Sequence, residues 1–143
     1  MQTGYLLIET RRDRPGQVRL DTARLPPPHP APLGPTGGGP RLHYVARFTD
    51  IEAAPMHAHE ALRRHLLDGD ARVYRTDPLT AVAAVETIAL PHQRLYLDPA
   101  LDADPCLAEA IARRQARQRR RERLWQGVGV GALVLLALLA IGL

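Results

Sequence analysis

Hydrophobic and polar positions change period several times along the chain, and each change marks an element. Residues 3–9, Thr-Gly-Tyr-Leu-Leu-Ile-Glu, form a short apolar run with an aromatic and a β-branched residue, which predicts a strand. Pro15-Gly16 punctuates the polar stretch that follows. Residues 17–21, Gln-Val-Arg-Leu-Asp, then alternate polar and apolar, so a second strand should fold back antiparallel on the first. Alternation returns at residues 42–48, with Tyr44, Ala46 and Phe48 on one side and His43, Val45 and Arg47 on the other, giving a third strand.

The period then lengthens. Over residues 53–67, Met56, Leu62, Leu66 and Leu67 recur at roughly helical spacing, and Asp68-Gly69 supplies a stop. Val73 and Tyr74 suggest a short extended piece. Asp77-Pro78 opens a second helix through Ile88, with Asp77 as N-cap and Pro78 at the first helical position, and Pro91 closes it. Residues 94–98 suggest a short returning strand, and Asp104-Pro105 caps a helix that continues through an arginine-rich stretch. The expected fold is α+β: a small three-stranded antiparallel sheet with flanking helices, followed by a long C-terminal helix that spans a membrane.

That last expectation rests on length and polarity. The 17 residues from 127 to 143 carry no charged side chain, and Leu124 and Trp125 extend the run toward 20 residues. At about 1.5 Å per residue, such a helix covers the roughly 30 Å hydrocarbon core of a bilayer with its backbone polar groups paired. Arg113, Arg114, Arg117, Arg119, Arg120, Arg121 and Arg123 precede it, Trp125 sits at interfacial depth, and nothing basic follows. These residues form the expected membrane interface and would meet anionic lipid head groups. The positive-inside bias predicts a single-pass, tail-anchored protein of a bacterial-type inner or cytoplasmic membrane, with the N-terminal domain cytoplasmic and the C-terminus at the far face. Gly127 and Gly131, with Gly129 between them, give the span a small-residue surface for helix packing.

Composition sharpens this outline. The 143 residues are 45% hydrophobic and 24% charged, enough for one small folded domain. Residues 1–105 hold 12 Arg against 13 Asp plus Glu, a net of −1, whereas residues 106–143 hold 7 Arg against 2 Glu, a net of +5. The basic character therefore belongs to the helix, and the near-neutral remainder disfavours nucleic acid as a partner. Residues 26–40 contain 7 Pro and 4 Gly and form an insertion without hydrophobic periodicity. The domains expected are residues 1–98 as a cytoplasmic domain with the Pro/Gly-rich insertion 26–40, residues 99–123 as an Arg-rich juxtamembrane helix, and residues 124–143 as the transmembrane helix.

No metal site is expected. His57, His59 and His65 invite a three-histidine reading, but a spacing of two on a helix, as between His57 and His59, separates side chains by about 200°. The single cysteine, Cys106, excludes a cysteine-based zinc cluster within one chain. Gly37-Gly38-Gly39 lacks the lysine and hydroxyl residue of a phosphate loop.

The order of hairpin, third strand, histidine-bearing helix, short strand and helix over residues 3–90 resembles the GIY-YIG nuclease superfamily, especially its phage-type branch. Gly4-Tyr5-Leu6 looks like the opening strand motif, and Val18-Arg19-Leu20-Asp21-Thr22 like the second motif. His59 and Leu62 hold the places of the branch's Ala-x-x-x-His-x-x-Leu helix, followed by Arg72-Val73-Tyr74. The resemblance implies metal-dependent phosphodiesterases in which tyrosines and an arginine position water and phosphate while a helix glutamate binds a divalent cation. It would assign Tyr5 and Arg24 to phosphate and His59 to the reacting group in an active enzyme. Here the position four before His59 is Pro55, and the second-motif glycine is Asp21. The expectation is thus a degenerate GIY-YIG-like domain without catalytic residues: an accessory or scaffold subunit that docks onto an integral membrane protein complex. The alternative is a membrane-localised nuclease or nucleic-acid binder, the only case in which a divalent cation is implied as cofactor. Self-association stays open at this stage.

Overall fold

The computed structural model describes residues 1–27 and 39–142. Most of the Pro/Gly-rich insertion, residues 28–38, lies outside the described residues, as does Leu143. Two compact units result, Met1–Ile111 and Ala112–Leu143.

The first unit is α+β. Its strands are β1 (Gly4–Thr10), β2 (Val18–Ala23), β3 (Arg41–Phe48), β4 (Leu66–Asp68), β5 (Val73–Tyr74) and β6 (His92–Leu97). They form one six-stranded sheet in the order β4-β5-β2-β1-β3-β6, with all pairings antiparallel. The expected sheet of three strands is therefore the centre of a larger one. β4 and β5, of three and two residues, are too short to show alternation, and β6 has no buried residue.

Side chains alternate across a strand, so the register sorts them into faces. Leu6, Ile8, Val18, Leu20, Tyr44, Ala46, Phe48 and Tyr74 join the buried cluster with residues of α1 (Ala54–Leu62), α2 (Pro78–Glu86) and Leu107. Tyr5, Leu7, Glu9, Arg19, Asp21 and Arg47 belong to the opposite face by the same register.

The first helix is shorter than its spacing predicted. α1 ends at Leu62, residues 63–65 form a single 3₁₀ turn, and Leu66 and Leu67 enter the edge strand β4. Its buried stripe is Ala54, Ala58 and Leu62, spaced four apart, while Met56 is 68% exposed. Two of these three anchors are alanines, so the stripe is nearly silent in hydropathy, and the larger Met56 and the leucines of β4 mimic a different one.

α2 follows expectation at its start: the Asp77 carboxylate accepts from the Thr80 N–H at 3.1 Å and from the Thr80 hydroxyl at 2.6 Å. It ends at Glu86, two residues before the expected Ile88. Five consecutive residues, Ala81 to Val85, are buried, because this helix packs between the sheet and other helical segments rather than along one stripe.

Gly4 is fixed by close approach. A Cβ there would stand 2.7 Å from Ile51 Cβ, and the Ile51 N–H donates to the Gln2 carbonyl at 2.8 Å, which holds the two segments together. Gly4→Ala is expected to destabilise the full chain by about 1–3 kcal/mol through overpacking, read as a lower urea midpoint.

After α3 (Pro99–Asp102), α4 runs from Pro105 to Gly142 as one helix of 38 residues. Leu107 is buried, and Ala110 and Ile111 pack on the core, so the first turns belong to the first unit. Within the second unit an 18-residue stretch has mean hydropathy 2.2, and none of it is buried. This C-terminal helix is long and apolar enough to cross a membrane.

Candidate functional site

The residues carried by the GIY-YIG resemblance do not converge. Tyr5 lies opposite Ala23 and Arg47 on the face turned away from the helices, and Arg24 follows Ala23 at the end of β2. His59 sits on α1, and its Nδ1 is 3.0 Å from the hydroxyl of Tyr74 on the helix-covered face. Tyr74 in turn pairs with Val18, five residues from Ala23 along β2, about 16 Å at strand rise. Tyr5 and His59 are therefore separated by the sheet itself. Burial first raises the Tyr74 hydroxyl above its ordinary pKa, with the Arg72 charge opposing, so it remains a neutral partner for His59. Among the described residues no group of three or more His, Cys, Asp and Glu side chains could hold a metal ion.

A different polar constellation, spread over residues far apart in sequence, is tightly organised. Ile8 pairs with Tyr44 but Glu9 pairs with Leu42, so His43 is the extra residue of a β-bulge. Its Nδ1 lies 3.0 Å from Asp98 Oδ2 and its Nε2 lies 2.6 Å from Thr10 Oγ1. Asp98 also accepts from Arg41 at 2.8 Å and from the Ala100 N–H at 3.0 Å, capping α3, while its own N–H donates to the His43 carbonyl. His43 is 7% and Asp98 4% exposed. A carboxylate only accepts, so Nδ1 carries the imidazole proton and Nε2 accepts from the Thr10 hydroxyl.

Charge follows geometry. Burial is the main influence on His43 and lowers its pKa, Arg41 adding to this while Asp98 opposes. Burial alone would raise Asp98, but the Ala100 N–H, Arg41 and His43 together hold it below the ordinary 3.8. At neutral pH the cluster is thus a neutral imidazole between a hydroxyl and a carboxylate. It ties β1, β3 and the β6–α3 junction together with every buried polar side-chain atom among the described residues partnered. Sequence reasoning missed it. The available signals were Asp98-Pro99, a cap signature, and a lone histidine in an apolar strand.

A second network starts from the next residue of β3, Tyr44. The Tyr44 hydroxyl donates to Glu86 Oε1 at 2.7 Å and Arg94 Nε donates to the same oxygen at 2.9 Å. Burial, then the Glu86 charge, pushes the Tyr44 hydroxyl pKa far up, so it acts only as a donor.

On α4, Arg113, Arg114, Arg117, Arg119, Arg120, Arg121 and Arg123 are followed by Trp125, which is 71% exposed. Arg114 is the partly buried one, and burial with the neighbouring Arg117 lowers its pKa. Gly127, Gly129 and Gly131 have open space where a Cβ would stand, which leaves their backbone accessible.

Compared with protein families, curated proteins and solved structures, the chain gives no match in any of the three.

Proposed function

We propose that the protein is a non-catalytic, membrane-tethered accessory or scaffold subunit that docks onto a larger integral membrane protein complex. One observation carries the reading: the chain joins an α+β unit, whose buried side-chain polar atoms are all hydrogen-bonded among the described residues, to an apolar helix of which none of the 18-residue stretch is buried. Water tolerates no such surface, and lipid or other membrane helices do. The separation of Tyr5 from His59 by the sheet supports a docking rather than a hydrolytic role.

In this reading the first unit is cytoplasmic and the arginines divide by depth. With Leu124 at the hydrocarbon edge, residues 119–123 fall within about 8 Å of it along the helix axis, the thickness of the head-group layer. Arg113, Arg114 and Arg117 stand about 10–17 Å from it, beyond direct head-group contact. The first set meets anionic lipid, and the second is available to an acidic partner surface. Gly127 and Gly131 supply the helix-packing face within the span.

Mild-detergent extraction of the full chain from its native membrane, followed by mass spectrometry and stoichiometry, tests this. A membrane protein complex is expected in fixed ratio with the chain and absent when residues 124–143 are removed. Recovery of the chain by itself overturns the proposal and directs attention to metal-dependent nuclease assays.

A further inference from the structure

The network that ties Thr10, His43 and Asp98 together also has the form of an activated hydroxyl. Asp98 Oδ2 accepts from both the His43 Nδ1–H, at 3.0 Å, and Arg41 Nη2, at 2.8 Å, while Oδ1 accepts from the Ala100 N–H at 3.0 Å. The carboxylate is thus clamped by three donors. It fixes the imidazole so that Nε2, 2.6 Å from Thr10 Oγ1, is the basic nitrogen. Hydroxyl, imidazole and carboxylate in that succession are a nucleophile, its base and the group that orients the base. Such a set is defined by geometry, not by order along the chain. Among the described residues, Thr10 is the threonine whose hydroxyl meets a histidine; those of Thr49 and Thr87 go to backbone carbonyls and that of Thr80 to a carboxylate.

Nucleophile and base differ in exposure. Thr10 is the last residue of β1 and only half-buried, and both the residues that follow it, 11–16, and Arg41, its partner across the ladder, are exposed. His43 is 7% exposed. The hydroxyl therefore stands at a strand end that meets water, and its base does not. Burial, the largest influence, keeps the His43 pKa below 6.5, so at neutral pH the ring is uncharged and able to take a proton. The Arg41 side chain, 62% exposed, brings positive charge to the same strand end, which favours a developing oxyanion there. The chain has no lysine and no serine, so an acyl donor meets few competing amines or hydroxyls.

We propose that Thr10 is an acyl-acceptor site, its Oγ1 attacking the carbonyl carbon of a thioester with His43 as base. As the C–O bond forms, the hydroxyl proton passes to Nε2, and Asp98 stabilises the resulting imidazolium. The C–S bond then breaks, and the leaving thiolate takes the proton back from Nε2. Thioester and threonine become threonine ester and thiol, with no further reactant. Water has little access to a base that is 7% exposed, so the ester stays on the chain. The modification is a single turnover and does not rest on the docking reading.

The test uses the full chain in detergent carrying Cys106→Ala, which removes the thiol, with S-phenyl thioacetate as probe. Release of thiophenol and peptide mass spectrometry follow the reaction. One acetyl group per chain is expected on Thr10, matched by one thiophenol. Thr10→Val should abolish the label and Thr10→Ser should keep it, which separates loss of the hydroxyl from loss of the fold. His43→Gln and Asp98→Asn, assayed below their thermal midpoints, should each slow labelling at least about tenfold. The rate should rise to a plateau with its midpoint below pH 6.5, following the neutral form of His43. A purely structural network would leave the label and the pH profile unmoved. No acetyl on Thr10 in either the parent or the Thr10→Ser chain, labelling of His43→Gln at the parent's rate, a rate that keeps climbing through alkaline pH, or thiophenol released beyond one per chain would each overturn the proposal.

Discussion

A full chain carrying Leu133→Arg and Leu136→Arg is expected to leave the membrane fraction. Both leucines lie near the middle of the apolar stretch and are more than 60% exposed, so neither contributes to the core of the first unit. An arginine at the centre of a membrane helix costs about 2.5–3.5 kcal/mol and a leucine contributes about 0.3–0.6 kcal/mol, so the pair shifts insertion by about 6–8 kcal/mol. That exceeds a ten-thousandfold change in partition. Alkaline carbonate extraction of the parent and the variant reads it directly: the parent stays with the bilayer and the variant is released, with an unaltered urea midpoint for the first unit. If the variant resists extraction as the parent does, α4 is not what holds the protein to the membrane.

Asp98→Ala is expected to have the next largest effect, about 2–4 kcal/mol of stability. The substitution removes the acceptor of the buried His43 Nδ1–H, about 1–3 kcal/mol for an orphaned buried donor, and the cap of α3, about 1 kcal/mol. The Arg41 side chain is 62% exposed and remains solvated, so its lost ion pair adds little. Urea unfolding monitored by the fluorescence of the tyrosines would show the drop in midpoint. An unchanged midpoint would mean that the network does not bind the strands together.

The same network sets a pH dependence whose sign follows from the two shifts. His43 has a folded pKa below 6.5, so as pH falls from 6.5 the unfolded chain takes up a proton that the folded one refuses. Its contribution is complete above 6.5 and declines toward the folded value. Asp98, below 3.8 when folded, contributes fully above 3.8 and loses that contribution as pH drops through its folded value. His43→Gln should flatten the slope of stability just below pH 6.5 and leave the more acidic fall in place.

How much of this was legible in sequence depended on how far each feature reached. β1, β2 and β3 carry clean local patterns, and the Asp77-Pro78 cap is complete within four residues, so the centre of the sheet and the start of α2 could be read. The apolar helix could be read because length and polarity alone define it. The end of α1 could not, since its buried stripe is built on Ala54 and Ala58 and the louder Met56 faces solvent. The Thr10–His43–Asp98 cluster depends on a bulge and on contacts 33 and 55 residues apart, which no local period encodes.

The strand order has a consequence for anyone handling this protein. Chain ends are ordinarily where trimming and tagging are harmless. Here the opening strand is an interior plank of the sheet, hydrogen-bonded to β2 on one side and β3 on the other. Removing the first ten residues would cut the sheet into two separate ribbons, β4-β5-β2 and β3-β6, each with a newly bared edge. Truncations that delimit the first unit belong at the other end, after the turns of α4 that carry Leu107, Ala110 and Ile111.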